Sequence, residues 1–459
     1  MNDTICAIST AQGSGAISLL RVSGRNAFSI VSNIFYPTNK KKIEEQKSQS
    51  ILFGTIKENN EIIDEVLVSI FKSPNTFTGE DSIEISCHGS LYIQQQILQL
   101  LVKNGARLAQ PGEFTQRAYL NRKIDLSQAE AVADVIASTN RASHKIAINQ
   151  MRGGFSNKLK NLRADLLQFI SLIELELDFS EEDVEFADRT VLLNLISKIK
   201  NIIELLIKSF ELGNAIKNGV PIAIIGEPNV GKSTLLNTIL NEDKAIVSDI
   251  AGTTRDAIED TFNYNGITFR FIDTAGLRDT TDTIENLGIE KTYDKINQAK
   301  IVLALFNAKD SSTKIKKELD SIINKIKDEK HIILVRTKID EIDYSIQKID
   351  NKNITSQINI SAVNNTNINE LLKEISNILQ PESIENNDVI VSNIRHIEAL
   401  TLANESLKRA EDNLQKNISN DFLAMDIRET IHYLARITGD EISTDEVLGN
   451  IFSQFCIGK

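Results

Sequence analysis

The chain has 459 residues, more than one hydrophobic core usually serves, so two to four domains are expected. Its 41% hydrophobic and 25% charged residues are ordinary for a globular protein. The 63 acidic residues outweigh 51 basic ones, and a net charge of −12 argues against a broad nucleic-acid-binding face, leaving room for a local basic patch or a basic partner. Cys6, Cys87 and Cys456 are scattered, with no CxxC or Cys/His spacing, which argues against a disulfide framework or a structural metal site and points to a reducing cytoplasm. The opening MNDTICAIST lacks a basic stretch followed by an apolar run, so no signal peptide is expected. The most apolar helical stretch, 166–179, is interrupted by Gln168, Glu174 and Glu176, so no membrane-spanning segment is expected.

Residues 1–118 read as mixed α and β. The runs 65–71 (EVLVSIF) and 82–87 (SIEISC) have strand character, 91–103 has helical spacing and stops at Gly105, and PGEF at 111–114 reads as a turn. From Leu120 to Gly213 the apolar residues step by three and four, through Leu159, Leu162, Leu166, Ile170, Ile173 and Leu177, then Leu192, Leu195, Ile199, Ile202 and Leu206. The acidic stretch 178–188 between these helices reads as a solvated connector. Gly213 and Gly219 bracket a change of character. Residues 219–381 then alternate strands and helices, the pattern of a parallel sheet with helices on both faces, and 382–459 returns to helix with a net charge of −7.

The expected architecture is therefore multidomain. A mixed α/β N-terminal domain (1–118) precedes a discontinuous all-α helical domain (119–218 and 382–459), into which an α/β Ras-like P-loop domain (219–381) is inserted.

Residues 226–233 read GEPNVGKS, which fits GxxxxGK[ST] between an apolar strand at 222–225 and a helical run at 234–240. Here Asn229, Val230, Gly231, Lys232, Ser233 and Thr234 are the candidate phosphate-binding residues. Backbone N–H groups and a helix N-terminus cradle phosphates, Lys232 reaches the β- and γ-phosphates, and the Ser233 hydroxyl suits Mg²⁺. Asp273 and Gly276 of DTAG follow a strand at 268–272 that an Asn265-Gly266 turn pairs back on its neighbour. Asp273 suits water-mediated Mg²⁺ binding, and the Gly276 N–H suits γ-phosphate sensing. Thr337-Lys338-Ile339-Asp340 follows a strand at 332–335. Asp340 can accept from the guanine ring N–H and exocyclic amine, a pair that adenine does not offer, and Ser361-Ala362 suits the loop touching the guanine oxygen. Motifs in this order predict GTP rather than ATP.

Two positions depart from the usual pattern. Thr337 stands where Asn usually ties the guanine loop to the phosphate loop, and a shorter polar arm predicts somewhat weaker affinity with specificity retained. Leu277 stands where Ras-type enzymes place the Gln that orients water, so another group must do this. Asn229 and the run SDIAGTT at 248–254 are candidates for holding a monovalent cation; Thr254 is the candidate Mg²⁺ and γ-phosphate ligand, and Glu285 the candidate for ordering water.

These residues, with CIGK at 456–459, resemble the MnmE (TrmE) family of tRNA-modification GTPases over nearly the whole chain. GTTRD at 252–256, DTAGLR at 273–278 and ENLGIEK at 285–291 are similar to the family's switch regions. GEDSIEISCHG at 79–89 and PGEFTQRAYLNRKIDLSQAEAVAD at 111–134 are similar to its N-terminal and helical signatures. The resemblance implies a homodimer built through N-terminal domains. It also implies G domains that meet across K⁺, held by Asn229, Ser248, Ile250 (through its backbone) and Thr253. Ser233 and Thr254 would hold Mg²⁺, and catalysis would rest on Glu285 and Lys232. It further implies a 5-formyl-tetrahydrofolate-type cofactor bound by Arg21, Glu84, Lys123 and Lys459, groups that otherwise read as ordinary surface and strand-end charges. Cys456 reads either as a buried residue, with Phe452 and Phe455 at helical spacing before it, or as a reactive thiol beside Lys459.

The implied function is GTP-dependent modification of carbon-5 of the wobble uridine in certain tRNAs, with the flavoprotein MnmG (GidA) bringing FAD. A ribosome-assembly switch GTPase is the alternative, weakened by the acidic rather than basic helical tail. A dynamin-like membrane GTPase is weakened by the absence of a basic amphipathic helix or a lipidation signal.

Overall fold

The computed structural model describes residues 3–178, 189–244, 260–272, 297–324, 330–343, 347–378, 389–416, 419–440, 452, 455 and 458. They form two compact bodies, one comprising 1–136, 148–200 and 399–459, the other 137–147 and 201–398. Among the described residues no helix is long and apolar enough to cross a membrane.

The first body is built on a seven-stranded sheet of order β3-β4-β5-β6-β2-β1-β7. Its strands are β1 Ile5–Ile8, β2 Ile17–Ser23, β3 Phe35–Pro37, β4 Ser50–Glu58, β5 Glu61–Phe71, β6 Ser82–His88 and β7 Arg107–Leu108. All pairings are antiparallel except β1 with β7. Alternation decides what each face does. Leu20, Val22, Ile83, Ile85, Val66 and Val68 point into a core closed by α1 (Ala27–Ser32) and α2 (Leu91–Lys103). Arg21 and Glu84, opposite one another in the register, lie on the other face. So do Leu67, Phe53 and Ile51, all at least 46% exposed.

The turn expected at PGEF is the left-handed Gly112 entry into α3 (Glu113–Leu120). Arg117, only 1% exposed, binds Asp3 Oδ1 at 2.8 Å, Glu113 at 3.0 Å and both Glu80 oxygens at 3.2 Å. This buried cation ties α3 to the N-terminal segment and to the loop before β6. Helices α4 (Leu126–Ala137), α5 (Arg141–Met151), α6 (Gly154–Asp178) and α7 (Arg189–Asn218) follow along the chain, with residues 141–147 of α5 and 201–218 of α7 counted in the second body. The chain returns in α11 (Ile394–Gln415) and α12 (Asn420–Thr438). Within this body α12 packs on α6, where Arg428 donates to Glu174 at 2.7 Å and Asn420 to Glu176 at 3.0 Å.

In the second body a six-stranded sheet has the order β13-β12-β11-β8-β10-β9. It comprises β8 Val220–Ile225, β9 Thr261–Tyr264, β10 Ile267–Phe271, β11 Ile301–Asn307, β12 His331–Thr337 and β13 Ile354–Asn359. Every pairing is parallel except the β9–β10 hairpin, whose turn residues Asn265 and Gly266 both take positive φ. Cores on both faces are completed by α8 (Lys232–Lys244), α9 (Ser312–Ile323) and α10 (Ile368–Asn377). Helix α7 runs through Gly213 to Asn218. A Cβ at Gly213 would lie 2.1 Å from the Val391 carbonyl oxygen, so this glycine serves close packing rather than a helix end. The predicted connector at 179–188 lies outside the described residues.

Arg117→Ala is expected to destabilise the first body by about 3–5 kcal/mol, because Glu80 would lose its cation, Glu113 would keep only Arg107, and a cavity would replace a buried, hydrogen-bonded side chain. Denaturant unfolding of the full chain measures this; a cost below about 1 kcal/mol would contradict the structural role assigned to Arg117.

Candidate functional site

The apolar strand β8 ends at Ile225 and the chain turns through 226–231 into α8. Asn229, at φ +62°, is exposed, whereas Val230 is buried. The Lys232 Nζ folds back on the loop, donating to the Gly226 carbonyl at 2.7 Å and the Glu227 carbonyl at 2.9 Å. Ser233 and Thr234 occupy the first turn of α8, where helix N–H groups lack intrahelical partners and favour an anion. These groups suit a triphosphate chemically: an ammonium inside the loop, the first-turn amides of α8 and the Ser233 hydroxyl.

The guanine side is built by β12 and β13. Thr337 ends β12, is 2% exposed, and donates from Oγ1 to the Val230 carbonyl at 2.6 Å, with the Phe306 carbonyl at 3.2 Å. Its short arm therefore does reach the phosphate loop, because the parallel register sets Thr337 beside Asn307 at the end of β11. Lys338 takes the left-handed conformation at φ +61° and starts a short 3-10 turn, Ile339–Glu341. The Ile339 N–H reaches the Ile360 carbonyl at 3.3 Å, which brings Ser361 to Asp340. The Ser361 hydroxyl, followed by Asp340's own backbone N–H, holds the exposed Asp340 carboxyl below the usual carboxylate range, so it is an ionised acceptor at neutral pH. The Ala362 carbonyl accepts from Thr238 Oγ1 of α8 at 3.2 Å, joining the Ser361-Ala362 loop to the helix that starts at the phosphate loop. A surface link that the sequence did not disclose adds to this: Lys314 of α9 bonds Glu227 at 2.7 Å and Asp310 at 3.1 Å.

Ser248, Ile250, Thr253, Thr254, Asp273, Gly276, Leu277 and Glu285 lie outside the described residues, as do Cys456 and Lys459.

In the first body the Arg21 Nε and Nη2 both donate to Glu84 Oε1, at 3.0 and 2.8 Å. The guanidinium lies 5.7 Å from the Phe77 ring centre and 5.6 Å from that of Phe114. Lys123 donates to the Pro74 carbonyl at 2.9 Å, at the start of the loop carrying Phe77. The end of the chain comes to the same domain: Ser9 Oγ donates to the Gly458 carbonyl at 3.0 Å, and Phe452 is buried against Leu126 and Ala129. A Cβ at Gly458 would lie 2.4 Å from the Ile8 carbonyl oxygen, so only glycine allows this approach. Ser9 follows β1, whose Ala7 pairs with Arg21. The Glu84 carboxylate, 25% exposed, the guanidinium and the Phe77 ring, 43% exposed, are chemically suited to a pterin edge and face. Sequence reasoning missed Phe77 and Phe114, because single aromatics without a motif give no signal.

A largely parallel sheet with helices on both faces, whose GxxxxGK[ST] loop is tied to the loop at 337–340, defines a P-loop GTPase domain. Residues 4–123 match the family description "GTP-binding protein TrmE N-terminus", and residues 126–456 match "MnmE helical domain". The chain is 56% identical over 465 residues to a tRNA modification GTPase MnmE of Bacteroides thetaiotaomicron, covering 100% of this chain and 99% of that protein. It is 52% identical over 464 residues to the protein of the same name from Flavobacterium johnsoniae, covering 100% and 99%. The chain belongs to the MnmE (TrmE) family of tRNA-modification GTPases, and is accordingly an enzyme, a GTP hydrolase.

Thr337→Val removes the hydroxyl that links the two loops and leaves the buried Val230 carbonyl with a lost partner. GTP affinity is expected to fall about tenfold, the scale of 1–3 kcal/mol for such a loss, while Thr337→Ser retains most of it. Titration with a fluorescent GTP analogue reads both; undiminished binding by Thr337→Val would contradict the tether.

Proposed function

We propose that this chain is a K⁺-activated GTP hydrolase. With an MnmG-type flavoprotein it takes part in modifying carbon-5 of the wobble uridine in certain tRNAs, adding an aminomethyl or carboxymethylaminomethyl group. The observation that carries the reading is the coexistence of two sites in one chain of this family. One is a phosphate loop bonded to a guanine loop; the other is the chain's C-terminal end seated on the N-terminal domain near Arg21.

In the nucleotide site Lys232 moves from the loop carbonyls to the β- and γ-phosphates, and Ser233 with Thr254 holds Mg²⁺, helped through water by Asp273. Gly276 senses the γ-phosphate, and Asp340, Lys338, Ser361 and Ala362 select guanine. Asn229, Ser248, the Ile250 carbonyl and Thr253 hold K⁺, whose charge takes the part that an arginine finger takes in other GTPases. Glu285 orders the attacking water, since Leu277 has no group that could. Arg21, Glu84, Lys123 and Lys459 hold a 5-formyl-tetrahydrofolate-type cofactor, which supplies a one-carbon unit when bound. FAD belongs to the partner.

A homodimer through the N-terminal domains is supported by the exposed apolar residues Ile51, Phe53 and Leu67, which share one sheet face with Arg21 and Glu84. The domains of this reading are 1–118, 119–218, 219–381 and 382–459, and its setting is the cytoplasm.

Mass spectrometry of wobble nucleosides from cells with and without the gene tests this function. Loss of the carbon-5 group on deletion is expected; an unchanged nucleoside profile with altered ribosome assembly would overturn the reading in favour of a regulatory switch GTPase. In vitro, GTP hydrolysis is expected to be at least tenfold faster in saturating KCl than in NaCl, and Asn229→Ala to lose that response while keeping nucleotide binding. Equal rates in the two salts would contradict the K⁺ assignment.

A further inference from the structure

A chain with net charge −12 that acts on tRNA needs a local cationic surface, since phosphate contacts supply most of the affinity for nucleic acid. Within the first body such a surface stands where the α3–α4 turn meets the α5–α6 turn. Residues 148–164 hold Arg152, Lys158, Lys160 and Arg163 and no Asp or Glu. Three bonds bring the neighbouring turn against this segment. Gln128 Nε2 donates to the Met151 carbonyl at 3.0 Å, the Ser127 and Ser156 hydroxyls meet at 2.8 Å, and Lys160 pairs with Asp125 at 3.1 Å. Arg122 and Lys123 precede that turn and are exposed.

Charge balance here is one-sided. Asp125 is occupied by Lys160, and Arg163 reaches Asp440 at 3.6 Å. Arg122, Arg152 and Lys158 form no ion pair among the described residues. The groups around them are exposed amides, Asn157 and Asn161, while Phe155, Leu159 and Leu162 are buried beneath. None of the large apolar side chains exposed in this structure falls within residues 121–125 or 151–164. A protein-binding patch would carry an aromatic or aliphatic anchor at its centre. A surface of Arg, Lys and Asn without an anchor matches the side chains that contact phosphate and ribose oxygens.

We infer that this surface, centred on Arg122, Arg152 and Lys158, holds the sugar–phosphate backbone of the tRNA substrate. The inference rests on the tRNA-modification reading and adds where the RNA lies. Contacts of this kind position the RNA and carry no sequence information themselves, so the surface should bind different tRNAs with similar strength.

The test compares the full-length protein with its triple variants Arg122→Gln/Arg152→Gln/Lys158→Gln and Arg122→Glu/Arg152→Glu/Lys158→Glu. Binding of unmodified tRNA is measured across a salt series, with basal GTP hydrolysis and thermal unfolding as controls. Each phosphate contact contributes roughly 0.7–0.9 to the slope of log affinity against log salt. The neutralised variant is expected to lose about two of those slope units and at least tenfold in affinity at low salt, and the reversed variant more, with both controls unchanged. Wild-type affinity and slope in both variants would overturn the surface. So would normal tRNA binding combined with lost capture of the flavoprotein partner, which would make it a protein interface. Failure of the wild-type protein and its partner complex to bind any tRNA would instead overturn the tRNA-modification reading on which the surface rests.

Discussion

A nucleotide site that reads both ends of its ligand must fix the distance between a phosphate loop and a base loop on different strands. Here that constraint is met by one hydroxyl. The Thr337 Oγ1–Val230 carbonyl bond, 2.6 Å long and buried, joins the end of β12 to the loop leaving β8, across the intervening strand β11. The parallel register of β8, β11 and β12 puts the two ends at one edge of the sheet, where ligands of open α/β folds bind. The Thr238–Ala362 bond makes a second closure, through α8 rather than through the sheet. Together the two bonds link the loop that carries Asp340 to the loop and helix that carry Lys232.

A parallel economy holds in the first body. Arg117 is buried among three carboxylates and orients α3, whose Phe114 lies over Arg21. The same helix carries Tyr119, which donates to the Gly439 carbonyl at 2.7 Å and packs against the apolar cluster that receives Phe452. Among the described residues, the end of the chain is thus held to the N-terminal sheet by contacts with α3, α4 and Ser9. Burial elsewhere keeps the thiols of that sheet inert: Cys6 and Cys87 are pushed up to about 12 and about 11 by desolvation, so neither is a nucleophile at neutral pH.

The sequence was most readable where periodicity and turn chemistry agree. Helix α2 spans the very residues, Leu91–Lys103, that helical spacing marked, and the Asn265-Gly266 hairpin forms as its dipeptide dictates. The phosphate loop was readable because strand, glycines and helix follow in a fixed order. A glycine in a helix looks the same in sequence whether it ends the helix or admits a neighbouring backbone, as Gly213 admits that of Val391. Arm length alone did not show whether Thr337 reaches the phosphate loop, because the register of β11 with β12 sets how far that arm must reach. The aromatic setting of Arg21 was invisible because Phe77 and Phe114 come from separate segments brought together by the sheet and α3.

The central claim is that Asp340, held as an ionised acceptor beside Ser361, makes this a guanine-nucleotide site. The most direct measurement is the affinity of Asp340→Asn for GTP and for xanthosine triphosphate, beside the wild-type protein. Asn presents a donor where the carboxylate only accepts, so GTP affinity should fall by at least tenfold and xanthosine triphosphate affinity should rise by a similar factor. Undiminished GTP binding with no gain for xanthosine triphosphate would contradict the account.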